Sequence, residues 1–235
     1  MDRIEEVFER CQAWGITLSK EKYQFGGEVK FAGYIINSEG TKPDPEKVAA
    51  IKDFPEPTNL TDLRSFMGLT NQFADFAPDL KHAMIPLKGL LSKKNAFIWT
   101  EEHGAAMKQV KEILTNPEGP VLRHFDPQLP IKLLTDASRT GIGYILTQED
   151  QTGAQRLITC GSHFLNDAEK NYALVELELL AIQWAIQKCC LYVAGSNFTV
   201  VTDHQPLLGI TNGKNLDAIN NARIHCLMTK LLRSK

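Results

Sequence analysis

A chain of 235 residues, 43% hydrophobic and 23% charged, carries enough apolar material for one large globular core or two smaller ones. Its formal net charge of −2 offers no bulk attraction to nucleic acid, although a basic face can sit on a neutral protein. Five cysteines, odd in number and without Cys-x-x-Cys spacing, argue against a disulfide framework or a zinc site and favour a reducing compartment; no apolar run reaches the ~18 residues of a membrane span.

Residues 2 to 14 place Ile4, Val7, Phe8, Cys11 and Trp14 near helical spacing, with Gly15 just past the end. A helix with no strand before it fits a piece of a longer chain as well as an ordinary N-terminal helix. Next, KYQF leads through Gly26-Gly27 into VKFAGYIIN, the pattern of a hairpin whose second strand contains Gly33. A glycine inside a strand signals either a bulge or the close approach of another backbone or ligand.

Asp44-Pro45 predicts a helix start, with Asp as cap and Pro at the first position. A second helix is capped by Asn59 or Thr61 and carries the stripe Leu63, Phe66, Met67, Thr70, Phe73, Ala74, Ala77. A third, KHAMIPLKGLLS, is expected to bend at Pro86. Thr100 with Glu101, Glu102 and His103 starts a further helix whose inner side is Met107, Val110, Ile113 and Leu114. The turn-rich NPEGPVLRHFDPQLP then marks a domain boundary near residue 120.

Three strands follow, IKLLTDA, GIGYILTQE and QRLITCGSHF, whose short polar turns make them antiparallel neighbours. A helix is expected over 167 to 191, capped by Asn166 or Asp167, then the strand NFTVVTD, a short helix after Pro206, and a terminal helix with Ile219, Ile224, Leu227, Met228, Leu231 and Leu232 inward. From residue 213 onward five basic residues, Lys214, Arg223, Lys230, Arg233 and Lys235, face one acid, Asp217. That local basic surface is either an ordinary solvated face or a nucleic-acid contact.

Two apolar strands thus end on acids, Asp136 and Asp203, and the helix VELELLAIQWAI offers a third. Glu176 and Glu178 point about 200° apart on a helix, so one of them can join a site. Glu178 shares a side with Val175 and Ile182 and is the choice, while Glu176 is expected to be solvated. Three hard oxygen donors suit Mg²⁺ or Mn²⁺; acids that merely cap turns at strand ends are the other reading. Two-metal phosphodiester hydrolysis is the chemistry such a site fits, and two ions ask for a fourth acid.

The stretches VKFAGYIINSEGTKPDPEKVAAIKDFPEPTNLTDLRSFMGLTNQFADF, PLKGLLSKKNAFIWTEEHGAAMKQVKEIL, LLTDAS, SHFLNDAEKNYALVELELLAIQWAI and FTVVTDHQPL together resemble the Pol polyprotein of Ty3/gypsy-type LTR retroelements over nearly the whole chain. The resemblance implies four regions: the end of a reverse transcriptase palm over 1–40, thumb helices over 41–92, a connection over 93–126 and an RNase H-like domain over 127–235. The implied fold is α/β and α+β, a small hairpin and helical subdomain followed by a mixed sheet flanked by helices. Phe31, Gly33 and Tyr34 correspond to a primer grip, and Asp136, Glu178 and Asp203 to catalytic, metal-binding acids holding two Mg²⁺ or Mn²⁺ ions. The implied partners are an RNA–DNA hybrid or primer–template and the rest of the polyprotein, with no membrane, and the implied reaction is cleavage of the hybrid's RNA strand. The polymerase's paired aspartates have no counterpart here, and the family's last RNase H strand and fourth acid would lie beyond Lys235. A catalytically inactive nucleic-acid-binding fragment or a retroelement relic is therefore the alternative expectation.

Overall fold

The computed structural model describes residues 2–22, 26–92, 96–116, 121–213 and 221–233. Helix α1 (Asp2–Ala13) matches the apolar spacing read above. Part of its apolar side is exposed, Val7 by 54%, as is Trp14 just past its end, by 82%.

A three-stranded antiparallel sheet follows, β1 (Glu28–Phe31), β2 (Tyr34–Asn37) and β3 (Gly40–Pro43), in the order β1-β2-β3. This corrects the expected hairpin. VKFAGYIIN is two strands, not one, and β1 pairs with β2 across a two-residue turn at Ala32-Gly33, with Phe31 opposite Tyr34. Both turn residues have positive φ, 51° and 84°. Two-residue hairpin turns favour that geometry because its twist matches that of the flanking strands. Gly33 adopts it freely, whereas Ala32 carries strain. Of the other expected strand, Tyr23 to Phe25 lie outside the described residues.

Helix α2 (Pro45–Lys52) starts as read, with the Asp44 carboxylate accepting from the Glu46 amide and pairing with Lys30 at 2.9 Å. That pair holds the Asp44 carboxyl below its ordinary range. Helix α3 (Leu60–Asn71) is capped by Asn59, which accepts from the Thr61 and Asp62 amides. The expected stripe runs past the helix end: Phe73, Ala74 and Ala77 are buried, but around a 3₁₀ turn at Ala74–Phe76. The KHAMIPLKG segment breaks at Met84 into α4 (Leu80–Ala83) and α5 (Ile85–Gly89). Pro86 sits in the first turn of α5, where its missing N–H costs nothing. Helix α6 (Glu101–Thr115) begins at the Thr100–His103 cap and buries Ala106, Met107 and Val110. These helices enclose one core around Leu63, Phe66, Phe73, Leu80 and Leu87.

The second core belongs to a four-stranded mixed sheet, β4 (Ile131–Ala137), β5 (Gly141–Glu149), β6 (Gln155–Phe164) and β7 (Phe198–Val201), ordered β6-β5-β4-β7. The first three are antiparallel neighbours, as their turns imply, and β7 pairs with β4 in parallel. The helix expected over 167 to 191 is in three pieces: a 3₁₀ turn at Glu169–Asn171, α7 (Leu174–Lys188) and α8 (Cys190–Val193). Asn166 caps the 3₁₀ turn, accepting from the Ala168 and Glu169 amides, and not the long helix. Helices α9 (Gln205–Gly213) and α10 (Ala222–Arg233) complete the described chain. Helix α7 lies between the sheet and α10, so Leu179, Ile182 and Ala185 join Leu133, Leu146, Ile224 and Leu227 in one cluster. No described helix is long and apolar enough to cross a membrane.

The two cores are joined by the strap 121–126. Thr41 and Leu122 exchange backbone hydrogen bonds of 2.8 and 3.0 Å, and the Arg123 amide donates to the Leu157 carbonyl on β6 at 2.7 Å. Gly40 permits this approach: a Cβ there would lie 2.1 Å from the Leu122 carbonyl oxygen, and its φ is 146°. Gly40→Ala is therefore expected to lower stability by about 3 kcal/mol in urea unfolding, whereas Gly68→Ala, on open helix surface, leaves it unchanged or higher.

Candidate metal centre and nucleic-acid interface

The strand register builds the site. Leu134 of β4 pairs with Val201 of β7, and the strands run parallel. Asp136 and Asp203 each lie two residues beyond that rung, so both acids arrive at the same end of the sheet. Side chains alternate along β4: Ile131, Leu133 and Thr135 are buried, whereas Leu134 and Asp136 are exposed. Glu178, in the second turn of α7, reaches the same point with only 3% exposure. One oxygen from each of Asp136, Glu178 and Asp203 lies within 4.8 Å of the others.

Three carboxylates that close repel one another, and burial adds to the cost of ionising the inner one. The Glu178 carboxyl is pushed up to about 7, first by burial and then by Asp203 and Asp136, against an opposing hydrogen bond from the Ala137 amide. Its Oε2 is buried with no hydrogen-bond partner. An unpaired buried carboxylate oxygen beside two more carboxylates is a donor set suited to a hard divalent cation. The residues therefore fit such an ion.

Glu176 corrects the sequence expectation. It is not solvated but 4% exposed, accepting from the Ala173 amide, from Asn221 and from Arg223, each at 2.9 Å. Both acids are buried because α7 is sandwiched, Glu178 toward the sheet and Glu176 toward α10. Arg223, expected on a basic nucleic-acid face, is half-exposed and engaged, paired with Glu176 and stacked 4.3 Å over the Tyr172 ring. Lys214 lies outside the described residues.

The other expected nucleic-acid residues sit on the small sheet, away from the acid cluster in the chain. Phe31 ends β1 and is 66% exposed. Gly33 forms the turn. Tyr34 is partly buried, stacked on Phe76 and edge-on to Phe73, and its hydroxyl donates to the Gln72 carbonyl at 2.8 Å. Its ring is thus committed to the helical core.

Sequence reasoning missed a cleft of about 610 Å³ beside the acids. One wall is the sheet face carrying Asp136, Ser138, Ser162 and Asp203, and the other is Pro78, Lys81, His82 and Ile85 around α4. The Lys81 ammonium donates to the Ser162 carbonyl, the Cys160 thiol donates to the Asp75 carbonyl at 3.0 Å, and Lys88 stands 3.7 Å over the Phe164 ring. No periodicity announces that α4 faces β6, because the contact spans some eighty residues of sequence.

Residues 99–200 match the family model of the RNase H-like domain found in reverse transcriptase. The chain is 36% identical over 228 residues to the retrovirus-related Pol polyprotein from transposon gypsy of Drosophila melanogaster, covering 92% of this chain and 21% of that protein. It is 36% identical to the Pol polyprotein from transposon opus of the same species, over 86% of this chain and 21% of that one. It is 31% identical to the transposon Tf2-3 polyprotein of Schizosaccharomyces pombe, over 89% of this chain and 16% of that one. The chain thus spans about a fifth of the length of these relatives. Among solved structures, the foamy viral protease-reverse transcriptase in complex with an RNA/DNA hybrid superposes with a TM-score of 0.72 at 22% identity, covering 97% of this chain and 32% of that one. A second structure of that protein, dRH in complex with double-stranded DNA, gives 0.73 at 22%, covering 98% and 40%. The sheet order, the acid cluster and these matches agree: over most of its length the chain is similar to retroelement Pol polyproteins, and residues 99–200 match the RNase H-like domain found in reverse transcriptase.

Proposed function

We propose that the chain is a reverse transcriptase/RNase H segment of a retroelement Pol polyprotein that hydrolyses the RNA strand of an RNA–DNA hybrid with a divalent metal, Mg²⁺ or Mn²⁺. Residues 1–40 are the end of the palm, 41–92 the thumb, 93–126 the connection and 127–235 the RNase H-like domain. The observation that carries this reading is the acid cluster with its orphaned Glu178 oxygen, of which Asp136 and Glu178 lie within the residues that match the RNase H-like domain and Asp203 lies three residues past them. The hybrid bound in the similar foamy viral structure supports the choice of substrate.

Bound divalent cations supply a water of lowered pKa and a counter-charge for the leaving oxygen. Asp136 and Asp203 would hold such a cation from strand ends that the β4–β7 register keeps level. Glu178 closes the site from below, its helix excluding water on that side. Ser138 and Thr140, which line the cleft beside Asp136, are hydroxyl partners for the sugar–phosphate chain. Phe31 and Gly33 form a second, distinct contact with the duplex. Arg223 contributes through a half-exposed side chain whose guanidinium also pairs with Glu176.

A second reading, binding without cleavage, has one observation in its favour. The cluster among the described residues has three carboxylates, fewer oxygens than two octahedral Mg²⁺ ions take from protein and substrate together with ease. Incubation with a labelled hybrid separates the two. RNA-strand cleavage in Mg²⁺ or Mn²⁺ that falls at least about 100-fold in Asp136→Asn supports hydrolysis. A folded protein that binds the hybrid and leaves it intact supports the second reading.

Metal binding also has a pH signature. Glu178 must lose its proton to ligate, and that proton is held up to about pH 7. Mn²⁺ affinity measured by calorimetry is expected to rise with pH below 7, by about tenfold per pH unit with one proton released, and to level above it. Glu178→Gln removes the slope; a wild-type affinity independent of pH between 5 and 7 contradicts the assignment.

A further inference from the structure

The turn between β1 and β2 is braced from outside the sheet. Gln72, the residue after α3, donates from Nε2 to the Ala32 carbonyl at 2.8 Å, across 40 residues of sequence. The backbone oxygen of the same residue accepts from the Tyr34 hydroxyl at 2.8 Å. On the far side, the Asp44 amide donates to the Gly33 carbonyl at 3.0 Å. A Cβ on Gly33 would lie 2.8 Å from Gln72 Nε2, so the glycine makes room for the brace.

This is a large restraint for a surface turn, and the turn it holds is a strained one, with positive φ at Ala32 as well as at Gly33. Strain of that kind persists where surrounding contacts over-determine it, and it is concentrated at places that position something. What this turn presents is Phe31, a residue left 66% exposed at the end of β1. An exposed aromatic on a preorganised support suits stacking against a base or a sugar at a duplex end, since ordering that would otherwise accompany binding is already done.

We propose that Gln72 is a positioning residue: it fixes the Ala32-Gly33 turn so that Phe31 meets nucleic acid in one orientation. This rests on the reading of Phe31 as a nucleic-acid contact. Gln72 itself touches no ligand in this account. The thumb helix therefore sets the geometry of the small sheet through one side-chain amide.

The test is a double-mutant cycle on the full chain. The probe is a fluorescent DNA primer annealed to a longer RNA template, leaving a recessed 3′ end, and the readout is anisotropy. Phe31→Ala and Gln72→Leu are each expected to weaken binding about 5- to 10-fold. In the Phe31→Ala background, Gln72→Leu should then change affinity by less than about twofold, because the two act through one contact. Gln72→Glu, which keeps length but turns the donor into an acceptor, should repeat the result. Every Gln72 variant retains the backbone oxygen that holds Tyr34, and thermal unfolding checks the fold. Normal binding by both Gln72 variants alongside weakened Phe31→Ala overturns the role of Gln72 alone. Normal binding by Phe31→Ala overturns the nucleic-acid reading of the turn, and this proposal with it. An undiminished Gln72 effect in the Phe31→Ala background, or loss of the fold in both Gln72 variants, makes Gln72 a structural residue and also overturns it.

Discussion

The parallel pairing of β4 with β7 is the constraint on which the candidate site depends. Four rungs, from Ile131–Phe198 to Leu134–Val201, bring together strands some 67 residues apart in sequence and leave their C-terminal ends level. Without that register Asp136 and Asp203 would be two unrelated surface acids. With it they form one side of a concave anionic cluster, and α7, packed across the strands, has a place to deliver the third. The cost is visible in Glu178, whose carboxyl is pushed up to about 7 and has one oxygen without a partner. Such an arrangement suits a cation or a proton in that position.

Helix α7 solves a problem that its sequence poses. LVELELLAIQWAI is too apolar for a surface helix and carries two acids within three residues. Sandwiching it between sheet and α10 buries the apolar side chains on both faces and buries both acids as well. The two are treated differently. Glu176 receives an amide, an Asn side chain and a guanidinium, and its carboxyl is held below its ordinary range. Glu178 receives two more negative charges. One environment makes a structural ion pair and the other an unpaired acid in a carboxylate cluster, two residues apart on one helix.

The strands β4, β5 and β6 were legible because alternation and short polar turns are local signals. The acids Asp136 and Asp203 were legible for a similar reason: a carboxylate terminating an apolar strand is an anomaly in its own neighbourhood. The parts that escaped depend on partners far along the chain. Glu176 is buried by the start of α10, where Asn221, just before the helix, and Arg223, in its first turn, lie 45 and 47 residues away, and nothing near Glu176 announces them. The cap at Asn166 was read correctly as a cap but assigned to the wrong helix, since a 3₁₀ turn and an α-helix use the same side-chain oxygen in the same way. The break at Ala32-Gly33 was hidden because alanine seldom takes positive φ, and it does so here under restraint from Gln72, Asp44 and Tyr34.

The seam between the helical region and β6 has a chemical consequence. Cys160 lies on it, fully buried, with its thiol turned to the Asp75 carbonyl and its ionisation pushed up to about 12 by burial. Cys190 and Cys226, by contrast, are exposed. Thiolate, not thiol, is the species that attacks alkylating agents and disulfides. While the seam is closed Cys160 is inert, and it gains reactivity only when α4 and the adjoining turn lift away from the sheet. The molecule therefore carries a native gauge of whether its two halves are docked.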